Sequence, residues 1–557
     1  MATVSRRIPA PGDSPARFVY NQMSKGPAQI WSAVPISFPG TVRLSPIKAA
    51  SSGEYCLFVT LRHMHQPVGN RLRRSKLAGI AAFTFSFAAV LSTVGCGNQY
   101  RPVVSAIGPV GPAGQPAKYA IAVSSPSSTS PGLLTAVDFA GDTVLSTPQI
   151  LSDPSYFQLN ANGTQGFVID PQGSLNTIPL STPYSLLTSQ VVQTTLPTGS
   201  NPVSITSFAP ASALLTVFVP LATPRTVAAL NAGTAALYDT VGIQGTGTPV
   251  YVVGATSTPR VYAISQNGTS ALGQVDAIET VSTTSLSDSA QIPTGINPVY
   301  GVMTPDDRRA FIINQGSGTV TVLNVPSNAL DTLPTGTPTS GPGTIPLCAN
   351  PVAGNAPCPN NNPVWADLNT VGTELVVLNK GDGVHAGSLS VINIPLCNPS
   401  AQGTNPNCSS TNPVDATGFG QILATVPVGV NPTMVSVLQG TDTNTPAAYV
   451  INQSDSTGTC TDTDSGTLTV ISLQTTQVVT TICGVSGANA TADANGTANV
   501  IFGHPNSVSA TGGAPTGKVY VTASDNTYLN VLYTDTNSVQ THIPLQGNGL
   551  RVLVTQP

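Results

Sequence analysis

Phe311-Ile312-Ile313-Asn314-Gln315, a short Gly/Ser turn, then Thr319-Val320-Thr321-Val322-Leu323 is the stretch that decides the fold. Variants of its first half return as Leu375-Val376-Val377-Leu378-Asn379, Tyr449-Val450-Ile451-Asn452-Gln453 and Val519-Tyr520-Val521-Thr522. Each is followed by a turn rich in Gly, Ser or Asp and by a second apolar run. A strand pair this short cannot bury its own faces, so copies stack on one another and the architecture is a repeat.

From Lys118 onward eight units can be counted, with first strands near 118, 167, 216, 261, 310, 375, 448 and 519. Four short apolar runs can be traced in a unit. The third leads into a Pro-x-Gly-x-Asn-Pro link, as in Ile292-Pro293-Thr294-Gly295-Ile296-Asn297-Pro298 and Val426-Pro427-Val428-Gly429-Val430-Asn431-Pro432. Pro and Gly there are expected to break the third strand and aim the chain into the fourth. Four strands in a unit of this length predict an all-β fold: a single β-propeller of seven or eight four-stranded blades over 118–557. A solenoid is the competitor, with shorter repeats.

Composition agrees. Only 8% of the 557 residues are charged, while Thr, Val, 52 Gly and 49 Pro suit strands and turns. Eleven of the 20 basic residues lie at or before Lys76, and 22 of the 24 acidic ones follow Cys96. An acidic, weakly charged body of this kind excludes nucleic acid as a partner.

Three segments precede the repeats. Residues 1–63 lack periodicity and read as a non-native or disordered extension, with Met64 as the expected start. Residues 64–96 read as a signal peptide: the cluster Arg71, Arg73, Arg74 and Lys76 precedes an apolar run from Leu77 to Val94. That run ends in Thr93-Val94-Gly95-Cys96, which resembles a bacterial lipoprotein signal and implies lipidation of Cys96. Simple cleavage and an uncleaved anchor are the alternatives. Residues 97–117, Gly- and Pro-rich, read as a flexible tether. The expected destination is the cell envelope, with the membrane reached through the lipid or the N-terminal segment.

Six cysteines fall among the repeats: Cys348, Cys358, Cys397, Cys408, Cys460 and Cys483. They form three close pairs, and local disulfides in an oxidising compartment are expected. Zinc is the rival reading, but there is no C-x-x-C and no nearby His.

The phrases resemble the YVTN family of bacterial surface-layer-type propellers. Tyr449 to Asn452 and Phe311 to Asn314 match its first element, and Thr319 to Asn324, Ser388 to Asn393 and Thr467 to Ser472 its second. Pro427 to Pro432 and Thr304 to Asp307 match its link and its turn. The resemblance implies a seven- or eight-bladed ring and no fixed activity.

No catalytic constellation is nominated. His385, His504 and His542 lie in three different units, and Glu279 and Glu374 are isolated. No cofactor is expected. Asp462 and Asp464 resemble the opening of a calcium loop, with Asp455 nearby, although Leu473 stands where the bidentate Glu belongs. The sequence therefore reads as a non-catalytic, envelope-anchored binding or scaffold module for a protein or glycan. The alternative is a propeller enzyme of lactonase type.

Overall fold

The computed structural model describes residues 118–557 apart from 209–215, 255–259, 283–284, 334–338, 349–357, 359, 370–371, 395–417, 439–445, 456–459, 461–464, 486–498, 514–515 and 556–557. The extension, the signal with Cys96, the tether, Cys397, Cys408, Asp462 and Asp464 lie outside the described residues.

The described residues form eight four-stranded antiparallel blades. From the axis outward, blade 2 runs Tyr156–Leu159, Gln165–Ile169, Ser174–Pro179 and Val192–Thr195. Blades 3, 4, 5 and 8 follow the same order, their innermost strands being Thr206–Phe208, Thr248–Gly254, Pro298–Met303 and Pro505–Thr511. Blades 6 and 7 share one long strand, Ile422–Val437. Its first half is the outer strand of blade 6, beside Ala386–Asn393. Its second half is the innermost strand of blade 7, beside Ala447–Ser454. The link Pro427 to Pro432 therefore does not break the strand as the sequence predicted. Proline is tolerated because the first half lies at a sheet edge, where its missing N–H is not needed.

Blade 1 closes the ring. Its second strand is Tyr119–Ser125 and its third Pro131–Asp138, but its innermost strand is Asn548–Val554 from the far end of the chain. Lysines reinforce the seam. Lys518 Nζ donates to Phe139 O at 2.5 Å and to Asp142 at 2.7 Å, and Lys118 Nζ donates to Thr511 Oγ1 at 2.8 Å. The sequence unit is thus offset from the blade. The run read as a first strand is the second strand from the axis, and the run read as fourth is the innermost strand of the next blade.

The core lies between blades. The described residues hold eight buried apolar clusters, one at each blade-to-blade junction, including that between blades 8 and 1. Every blade therefore has both faces covered, and its second and third strands are buried on both sides, as in Arg309–Asn314 and Thr319–Asn324.

The Asn that ends the second strand has a structural task. Asn452 Nδ2 donates to Thr467 and Thr469 Oγ1, both at 3.1 Å. Asn314 does the same to Thr319 and Thr321, and Asn379 to Ser388 and Ser390. The buried amide clips the hairpin of three consecutive blades. Cys348–Cys358 and Cys460–Cys483 are disulfides, so zinc does not apply to these four.

Two stability effects follow. Phe311, fully buried at the junction of blades 5 and 6, is expected to cost about 3–5 kcal/mol when changed to Ala. Asn452→Ala, which leaves two buried hydroxyls without their donor, is expected to cost about 1–3 kcal/mol. Chemical denaturation measures both.

Candidate functional site

Every innermost strand is entered by one short phrase. It reads Pro154-Ser155-Tyr156, Pro202-Val203-Ser204, Pro249-Val250-Tyr251, Pro298-Val299-Tyr300, Pro363-Val364-Trp365, Pro432-Thr433-Met434 and Pro505-Asn506-Ser507 in blades 2 to 8. In blade 1 it is Gly549-Leu550-Arg551. Asn297, Asn362 and Asn431 precede the proline in the left-handed region, with φ of 53°, 45° and 51°. Asn adopts that conformation more readily than most residues, and the corner turns the chain toward the axis.

A β-bulge then falls on the middle residue of the phrase in blades 4 to 8 and in blade 1. The extra residue bends the strand and re-aims the next side chain. The third residues of the phrase consequently converge. The Tyr251 and Tyr300 rings lie 4.6 Å apart, and Tyr300 stacks on Trp365 at 4.0 Å. The Arg551 guanidinium sits 4.4 Å from the Tyr156 ring and 5.6 Å from the Trp365 ring. Blades 1 and 6 are not neighbours, so Arg551 reaches across the axis.

Beside this cluster lies a cavity of about 110 Å³, lined by Tyr156, Trp365, Thr433, Met434, Asn506 and Arg551 among others. Tyr251 and Tyr300 fill the side toward blades 4 and 5. Arg551 makes no ion pair among the described residues. Three polar atoms at the cavity, Arg551 Nε, Tyr156 Oη and Thr433 Oγ1, are enclosed without a hydrogen-bond partner. The Tyr156 hydroxyl lies near Tyr251 and Arg551, but in no geometry that qualifies as a hydrogen bond. Burial holds the Tyr251 and Tyr300 hydroxyls above their usual range, so both stay neutral.

Asp367, two residues beyond Trp365, is the carboxylate whose charge reaches Tyr300. Its Oδ2 accepts the Val437 N–H of blade 7 and its Oδ1 accepts the Leu368 N–H, each at 2.8 Å. Burial pushes its pKa up to about 6 against these two donors.

The histidines are elsewhere. His385 pairs with Asp382 at an exposed turn, and His504 Nδ1 meets Asp525 at 2.7 Å at the entrance to blade 8. His542 stacks on Phe502 at 3.9 Å in the outer part of that blade. Asp455 accepts the Cys460 N–H at 2.9 Å. Among the described residues no three His, Cys, Asp or Glu gather as metal ligands. No described helix is long and apolar enough to cross a membrane.

Arg309 is buried against Asp331 at 2.7 Å, and Arg551 is axial. The signal that finds Arg551 is its place two residues after the position that holds proline in the other blades.

No protein-family model matches the chain, and no curated protein is similar to it in sequence. Among solved structures, the chain is similar to the dihydro-heme d1 dehydrogenase NirN in complex with DHE, at 12% identity over 78% of this chain and 74% of that one, with a TM-score of 0.47. It is similar to apo AztD from Citrobacter koseri at 10% identity over 78% and 97%, TM-score 0.47. It is similar to the periplasmic gluconolactonase PpgL of Pseudomonas aeruginosa at 17% identity over 66% and 95%, TM-score 0.41. At these values the likeness adds nothing about ligand or reaction.

The position of Asp367 sets a pH dependence. In the unfolded chain its carboxyl ionises near pH 4, whereas in the channel it ionises only near pH 6. The native state therefore gains from this proton below about pH 4 and loses that gain as the pH rises through 6. Asp367→Asn removes this part of the fall. Denaturation midpoints of both proteins between pH 4 and 7 read the difference.

Proposed function

We propose that this chain is an exported propeller of the YVTN surface-layer type, held in the envelope through Cys96, that binds a ligand and does not transform it. Two disulfides fit an oxidising compartment. The single observation that carries the reading is the make-up of the axis. It offers a cation, aromatic faces and unpartnered hydroxyls, which are binding groups. Its carboxylate, Asp367, already accepts two backbone N–H groups, and no described histidine stands beside it. General acid–base work needs a group free to exchange its proton with the substrate. The rigid rim around the axis suits docking of an envelope protein or glycan.

A second reading, lactone hydrolysis, has one observation in its favour. A carboxyl raised to about 6 is in the range of a general base.

Two measurements decide. Cys96→Ala is expected to move the propeller from the membrane fraction to the soluble one; an unchanged distribution removes the lipid anchor from the proposal. A lactonase screen of the full chain is expected to give no turnover. Turnover lost in Asp367→Asn establishes the hydrolase instead.

A further inference from the structure

We infer that the axial cavity is a receptor for a small organic carboxylate, of the size of acetate or a two- to three-carbon hydroxy acid, bound by Arg551. The inference rests on the binding reading above and names the ligand class for that site.

The argument begins with charge. A guanidinium withdrawn from water is costly unless it is paired. The fully buried cations among the described residues follow that rule: Arg309 with Asp331 and Lys518 with Asp142. Arg551 is half-buried at the cavity and has no such partner among the described residues, and its Nε is enclosed with nothing to accept its proton. The π-faces of Tyr156 and Trp365 offset part of the cost, but they accept no hydrogen bond along the N–H direction. The missing group is an anion with lone pairs.

The walls then narrow the chemistry. Tyr156 Oη and Thr433 Oγ1 are hydroxyls without partners, each able to donate to an oxyanion. Arg551 supplies a planar fork that matches a carboxylate. Trp365, Met434 and the face of Tyr156 are apolar, which suits a short carbon substituent and disfavours a fully hydrated dianion. A single cation also leaves a phosphate dianion half neutralised.

Size sets the upper bound. The cavity measures about 110 Å³, below the roughly 150 Å³ that accommodates benzene and well below the roughly 300 Å³ where drug-sized pockets begin. A ligand of four to six heavy atoms fits within it, whereas a sugar ring or a peptide would extend beyond it.

The chain offers a built-in reporter. Its two tryptophans are Trp31 and Trp365, so the full chain carrying Trp31→Phe reports the cavity alone. We expect sodium acetate and sodium lactate, at constant ionic strength and neutral pH, to change Trp365 emission saturably. Half-saturation should fall below about 1 mM, with a parallel rise in Tm. Arg551→Met is expected to abolish saturation while unfolding no more easily, because an unpaired charge leaves the interior. Arg551→Lys keeps the charge, loses the fork, and is expected to weaken binding about tenfold; it serves where Arg551→Met fails to fold. Saturation by inorganic phosphate but not by either carboxylate overturns the ligand class. No saturation by any of them, or equal saturation in the Arg551 variants, overturns the site. Lactone turnover sinks the non-catalytic reading and leaves the acetate titration standing, so the two failures are distinct.

Discussion

No blade of this protein can keep its faces dry alone. Each four-stranded sheet has two apolar faces, and each face is covered by the next blade around the ring, through eight separate clusters. The stability of one junction therefore depends on the presence of all of them, and the ring on its last member. That member is the strand Asn548–Val554, which crosses the whole length of the domain to pair with Tyr119–Ser125. Burying Val552 and Val554 against blade 8 supplies the apolar term that fixes the two ends together. Arg551 rides on the same strand. The axial site is thus complete only once the ring has closed, and folding and site assembly are one event.

The repeat divides its positions between structure and function. The proline and the preceding Asn or Asp shape the corner into the inner strand, and Gly273, Gly387 and Gly466 leave the space into which Pro298, Pro432 and Pro505 pack. The Asn at the end of the second strand clips the hairpin. These residues repeat because each blade poses the same geometric problem. The residue two after the proline reaches the axis while resting on the junction clusters, which take in Met434 and pack against Tyr156, Tyr251, Tyr300 and Trp365. Its identities around the ring are Tyr, Ser, Tyr, Tyr, Trp, Met, Ser and Arg. Diversity concentrated at the one position that reaches the axis is the pattern expected where a scaffold is constant and the site varies.

Much of the architecture was legible in the sequence because it is written eight times. The continuous apolar runs around Phe311, Leu375 and Tyr449 gave the strands, and their return gave the count of units. What was not legible was phase. A chain read from its N-terminus starts a unit at Tyr119, whereas the sheet begins one strand earlier, with a segment more than 400 residues away. The Pro-x-Gly-x-Asn-Pro link looked like a break because proline interrupts a paired strand, but at a free edge it does not. The site was hidden for a related reason. Its members are separated by about 50 to 70 residues and share no local motif, and Arg551 stands where Gly549 has replaced the guiding proline. Only the register of the innermost strands brings them to one level.

The low charge of the body sharpens what the centre can do. With 8% charged residues in the chain, few background fields compete with a cation on the axis. The Tyr251 and Tyr300 hydroxyls stay neutral and cannot neutralise Arg551 as phenolates. Asp367 is bound to the amides of Val437 and Leu368, which draws its charge toward the blade 6–7 seam. The guanidinium therefore remains the dominant charge in a confined, partly apolar space, where an opposite charge is attracted more strongly than in water. Sign selectivity then needs no further machinery. A cation is repelled there, a neutral molecule leaves Arg551 unpaired, and an anion small enough to enter gains the opposite charge.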